Sequence, residues 1–330
     1  MSTQTNTIQL SSCNLPNWQT LKLILSSFIV FNFYLNAFCN IKDEHSILIE
    51  ILNHGLIPMF VFIVAYTSKG ISWHKWCNNL LPSFIIYVTF QTVAAFVLYS
   101  DDHFTIRGYL LFPQNGVWFF LAIPAWQSFF LSLTSFMKCR INVVLVIVLF
   151  LFSIMISFLS TECLTDKTGF YAIFKYFPFF VMAYFFDDEK VLKLRENPLL
   201  TITTAVIITA ICIYFLTAKE LTLIKKINIS SLSYSFSIFL FGLFASVSIS
   251  VAIICISLST NRFIKIANNA LGVYLIHPII CFFFLTLLNR VEIDVGLPLI
   301  ILLTSLTIIL ALVFTKNPII HWFLSPEIKR

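Results

Sequence analysis

Apolar residues in this chain come in long, nearly unbroken runs. Ten stand out, at 21–39, 47–66, 80–99, 116–134, 141–160, 170–186, 199–217, 235–257, 270–288 and 296–315. A helix needs about 20 apolar residues to cross a bilayer, with a working range of about 17–25. Every backbone N–H and C=O in lipid must be bonded within its own segment, so helices are the expected element. The pattern predicts an all-α polytopic membrane protein of about ten transmembrane helices. Run 170–186 is the shortest and carries Lys175 and Pro178. The connections are short, so no soluble domain is expected beside the membrane domain. The predicted organisation is a polar tail at 1–20, a transmembrane domain at 21–315 and a cytoplasmic tail at 316–330.

Composition agrees. Of the 330 residues 59% are hydrophobic and 11% charged, and the mean hydropathy is +0.92. A soluble domain is nearer half apolar and a quarter charged. The net charge of +6 would suggest nucleic acid in a soluble protein. In a membrane protein it reflects the excess of Lys and Arg in cytoplasmic loops. Nucleic acid is therefore not an expected partner, and membrane lipid is. With the N-terminus inside, thirteen Lys and Arg fall in inside regions and seven in outside loops. The bias predicts both termini in the cytoplasm. Residues 1–20 hold no Lys or Arg, so the basic start of a signal peptide is missing and 21–39 reads as a retained first helix. None of the eight cysteines is in CxxC spacing; they read as small apolar residues, and no metal site is expected.

Ionisable groups within spans are costly and mark candidate sites. Glu50 and His54 sit four residues apart in the second run, on one helix face. A carboxylate beside an imidazole can orient the ring and raise its basicity, as a general base requires. A purely structural pair at the interface is the alternative. Asn32 and Asn36 repeat the spacing in the first run, for interhelical hydrogen bonding or for holding a substrate. Lys175 lies near the outer end of its run, placed either to snorkel to the interface or to hold an anionic group. His277 precedes Pro278, which disturbs the helix locally; the ring either bonds a freed carbonyl or takes part in chemistry. There is no GxSxG elbow, HExxH pair or phosphate-binding Gly loop.

Several segments, read in order, resemble acyltransferase family 3, especially its branch similar to fucose 4-O-acetylases. Leu21-Lys22 resembles the family's "DNLKG" opening, and Ile57-Pro58-Met59-Phe60-Val61-Phe62-Ile63, ending at Tyr66, resembles "HMPLFVFISGY". Leu80-Leu81-Pro82 before Tyr87, Trp118-Phe119-Phe120-Leu121 with Trp126, and Phe177-Pro178-Phe179-Phe180 ending at Tyr184 follow in the family's order. Leu271-Gly272-Val273-Tyr274-Leu275-Ile276-His277-Pro278 resembles the late "LGIYLIHP" motif. Two departures bear on chemistry. The family's first-helix Gly-His pair, whose histidine is central to acyl transfer, falls on Asn32-Phe33. The histidine before Met-Pro falls on Leu56, with His54 nearest. His277 is the family histidine retained.

The resemblance implies an enzyme of the bacterial inner membrane that moves an acyl group, usually acetyl from acetyl-CoA or another acyl-CoA, to a hydroxyl. The acceptor is a cell-envelope glycan or its lipid-linked precursor. Acyl-CoA is a co-substrate, and no bound cofactor is expected. The expected catalytic residues are His54, Glu50 and His277. Asn32, Asn36, Lys175 and Trp118 are the substrate-binding candidates. Lys69 and Lys75, on an inside loop, are the candidates for the donor's phosphates. The alternatives are a degenerate relative that binds without turnover in envelope-glycan synthesis, and a transporter or polysaccharide polymerase.

Overall fold

The computed structural model describes residues 15–38, 46–98, 116–136, 143–163, 169–217, 231–291 and 295–326. All regular structure among them is helical. The helices are α1 (Trp18–Phe38), α2 (Ser46–Thr67), α3 (Trp73–Leu98), α4 (Phe119–Phe136), α5 (Val143–Cys163), α6 (Gly169–Lys175) and α7 (Phe177–Phe185). They continue as α8 (Asp188–Glu196), α9 (Pro198–Thr217), α10 (Ser231–Ile256), α11 (Ile264–Ala267), α12 (Ala270–Val291), α13 (Leu297–Phe314) and α14 (Pro318–Leu324). Eight are long and apolar enough to cross a membrane, and two shorter apolar stretches, Phe119–Leu133 and Tyr171–Phe185, accompany them. Each of the ten apolar runs in the sequence thus corresponds to helix, and the chain is an all-α polytopic membrane protein.

Local chemistry explains the boundaries. α1 begins at Trp18, ahead of the apolar run, because Asn17 Oδ1 accepts from the Thr20 N–H at 3.0 Å, an N-cap. α3 begins at Trp73, where the Ser72 hydroxyl oxygen accepts from the Lys75 N–H. The run 170–186 is not one helix but two, with a turn at Tyr176. Pro178 has no N–H to give to the Phe174 carbonyl. Carbonyls on either side of that position find side-chain donors instead: Trp126 Nε1–H donates to Ile173 O at 3.1 Å and Ser157 Oγ–H to Lys175 O at 2.7 Å. Residues 318–324, within the segment read as a tail, form α14, capped by Asn317.

The chain divides into two compact units, one of residues 1–63 and 185–268, the other of 64–184 and 269–330. In the first, α9 packs along α10, α8 against both, and α11 against α1. In the second, α3 packs on α4, α5 on α6, and α12 on α13 and α3. α5 shows the membrane pattern plainly. Val143, Val144, Ile147, Leu151 and Met155 are exposed while Ser153, Ser157 and Ser160 are buried. Lipid is as apolar as leucine, so large apolar side chains gain nothing by turning inward, and small polar ones pack and bond between helices.

The polar α8 was not evident from hydropathy. Asp187 caps it, Asp188 and Glu189 occupy its first turn, and Lys193 and Arg195 its last, each charge placed to suit the helix dipole. Arg195 reaches the end of α10, where Nη1 donates to Ile254 O and Ser257 Oγ and Nη2 to Ser257 O and Ser259 Oγ, at 3.0–3.1 Å. One planar fork thereby satisfies carbonyls that a helix C-terminus leaves without partners. Burial pulls the Arg195 pKa below its ordinary value.

Candidate active site

In the first unit, α1, α2 and α10 assemble a polar cluster that is partly exposed: Asn36 and Asn53 are exposed, and His54 and Glu50 only partly buried. Glu50 and His54, one turn apart on α2, face each other with Oε2 3.6 Å from Nε2. On the other side of the ring, His54 Nδ1 lies 3.3 Å from Ser246 Oγ of α10. That serine's one proton goes to Gly242 O at 2.9 Å. With its own proton there, Ser246 can accept from His54 Nδ1–H, the tautomer in which Nε2, facing Glu50, takes a proton.

The imidazole has this seat because position 242 is glycine: a Cβ there would stand 3.0 Å from His54 Cε1. Gly242, Ser246 and Ser250 recur every fourth residue along α10, a stripe of small residues that admits close approach. α1 adds Asn32, whose Nδ2 donates to Asn53 Oδ1 at 2.9 Å and whose buried Oδ1 has no hydrogen-bond partner among the described residues. Asn36 Nδ2 donates back to Asn32 O at 2.8 Å. Asn53, Gly242 and Ser246 were missed from the sequence. The Gly242-Ser246-Ser250 spacing was readable there, but which helix it packs against was not.

The second unit holds the other candidates. His277 is 3% exposed, and its Nδ1 lies 2.7 Å from Tyr274 O and 3.3 Å from Val273 O. Carbonyls only accept, so Nδ1 carries the hydrogen in these bonds. Tyr274 O is the carbonyl that Pro278, four residues on, cannot bond, so the histidine supplies the donor that its neighbour lacks. Tyr274 Oη–H donates to Gly116 O at 3.0 Å, tying α12 to the turn before α4. Trp118 stacks on Tyr176 at 5.4 Å with an interplanar angle of 18°. Lys175 Nζ sits 5.0 Å from the Tyr171 ring centroid and 5.5 Å from that of Tyr176, so π-faces hold the ammonium. Lys69 Nζ lies 4.1 Å over the Tyr66 ring, and Lys75 is exposed in the first turn of α3.

The family model of an acyltransferase domain, acyltransferase family 3, matches residues 56–316. The chain belongs to acyltransferase family 3. No curated protein and no solved structure matches it. Membership makes the protein a multi-pass membrane acyltransferase in general terms. His277, Trp118, Lys175, Lys69 and Lys75 fall inside the matched residues, whereas Asn32, Asn36, Glu50 and His54 precede them.

Proposed function

We propose that this family member transfers an acyl group, acetyl in the simplest case, from a coenzyme A thioester to a hydroxyl of a cell-envelope glycan or its lipid-linked precursor, at the bacterial inner membrane. The observation that carries this reading is the Glu50–His54–Ser246 arrangement, which fits a general base. Ser246 holds the hydrogen on Nδ1, so Nε2 receives the acceptor's proton. Glu50, 3.6 Å away, is too far for a direct hydrogen bond but close enough to stabilise the imidazolium that forms. The buried Asn32 Oδ1 offers an acceptor to a sugar hydroxyl.

The hydroxyl oxygen attacks the thioester carbonyl carbon as its proton passes to His54 Nε2. The C–S bond then breaks, and coenzyme A leaves as a thiolate that takes a proton. The products are an ester and free coenzyme A.

General-base assistance is worth about 10²–10⁴-fold in rate. His54→Ala should therefore lose detectable acylation in membranes that contain normal amounts of the protein. Glu50→Gln should lose less, because the base remains. Wild-type rates in His54→Ala would remove the pair from the mechanism. Phe33 favours a second reading, since it stands where the family carries its first-helix histidine. A wild-type protein inactive with every acyl donor, with activity appearing in Phe33→His, would establish a degenerate, binding-only relative.

A further inference from the structure

Hydropathy reads the segment after α13 as a tail, yet it holds α14. Only three residues separate the two helices. Asn317 caps α14 and Pro318 opens it, so its start is fixed. One face is held by the protein. Leu324 is buried and, with Thr315, closes on Gly272 at the start of α12. α14 packs against α3 as well.

The opposite face is apolar too. With 3.6 residues per turn, Ile319 and Trp322 project away from Leu324, and they are 67% and 46% exposed. A helix that is apolar on both sides is not built to lie in open water. Three observations say what covers the outer face. α13 has the length and hydropathy of a membrane span, and Val313 and Phe314 in its last turn are exposed, so the lipid-facing surface of the span continues into α14. Tryptophan gathers where acyl chains meet headgroups, because its ring is apolar and its N–H is a donor. Finally, the charge is positive. Lys316 is exposed beside α14, and from Lys316 to Arg330 the sequence has three Lys and Arg against the single acid Glu327.

The first turn of α3 presents a second indole of this kind. Trp73 is 53% exposed and stacks on Trp76 at 4.8 Å and 7°. The Lys and Arg bias assigns this turn and α14 to the same side of the membrane. We propose that α14 is an interfacial helix. Its Ile319–Trp322 face lies at the boundary between acyl chains and headgroups, and Lys316 holds the phosphate of an anionic phospholipid of the surrounding leaflet. The anchor does not depend on the acyl-transfer chemistry proposed above.

The test uses the full chain in bilayer nanodiscs and reads tryptophan fluorescence. Trp322→Phe keeps an aromatic ring at an exposed position, and subtracting its signal from wild type isolates Trp322. That component should be quenched more by phospholipid brominated close to the headgroup than by phospholipid brominated near the chain ends, and only weakly by acrylamide in the water. Ile319→Trp adds an indole to the same face and should add a component with the same order of quenching. At an equal small share, brominated phosphatidylglycerol should be favoured over brominated phosphatidylcholine about fivefold at Trp322, the worth of one lysine near an anionic surface. Lys316→Gln should abolish that preference while leaving the depth profile unchanged. Free access of acrylamide to Trp322, with no quenching by either brominated lipid, would overturn the anchor and leave the face to a soluble partner or a second copy of the chain. A wild type with no headgroup preference, or a preference that survives Lys316→Gln, would overturn the lipid-phosphate contact.

Discussion

Gly116→Ala probes how the turn before α4 holds α12. Gly116 has φ +87°, a conformation that costs a residue with a Cβ about 1–2 kcal/mol. A Cβ at 116 would also run into the Tyr274 phenol. The Tyr274 Oη–Gly116 O hydrogen bond must then lengthen or break, at about 1 kcal/mol. Gly116→Ala should therefore destabilise by about 2–3 kcal/mol, and Tyr274→Phe by about 1 kcal/mol. Both variants lose the same hydrogen bond, so the double variant should fall short of the sum of the singles by about 1 kcal/mol. The assay is unfolding in mild detergent on titration with a denaturing detergent, followed by tryptophan fluorescence. Stability equal to wild type in Gly116→Ala would refute the argument, and so would strict additivity. Because Tyr274 O also holds the His277 ring, any family chemistry at His277 should weaken in Gly116→Ala beyond what the lost stability explains.

Arg195→Ala should destabilise by about 2–4 kcal/mol in the same assay, since four hydrogen bonds to the end of α10 are lost from a partly exposed charged group; Arg195→Lys should restore only part, lacking the planar fork. Trp126→Phe should cost about 1–2 kcal/mol by leaving the Ile173 carbonyl without its donor at the helix break, and a loss no greater than that of an exposed tryptophan would count against the repair argument. Ser246→Ala should lower acylation about tenfold without abolishing it, because His54 keeps its base but loses the hydroxyl that sets its tautomer. Reporter fusions after Arg140 and after Arg330 should both read cytoplasmic; a periplasmic signal at either would reverse the orientation that the Lys and Arg bias implies.

The ten apolar runs were legible because hydropathy is a local property, and lipid forces each segment to satisfy its own backbone within itself. The family was legible for a related reason: its motifs are short, contiguous and ordered along the chain. Glu50 and His54 were found because four-residue spacing on one helix is also local. The break at Tyr176 was half legible. Pro178 announces that a hydrogen bond is missing, but only packing shows Trp126 and Ser157 supplying donors to nearby carbonyls. The remaining features depend on how each helix is turned about its axis, which hydropathy does not encode when all faces are apolar. Ser246 lies 192 positions from His54 and Arg195 lies 64 from Ser259, and neither contact leaves a periodic trace. Sequence alone determined which segments are apolar enough to lie in a membrane and which helix faces carry polar groups. Tertiary packing decided which of those groups meet, because that choice rests on side-chain shape across helices far apart in the chain.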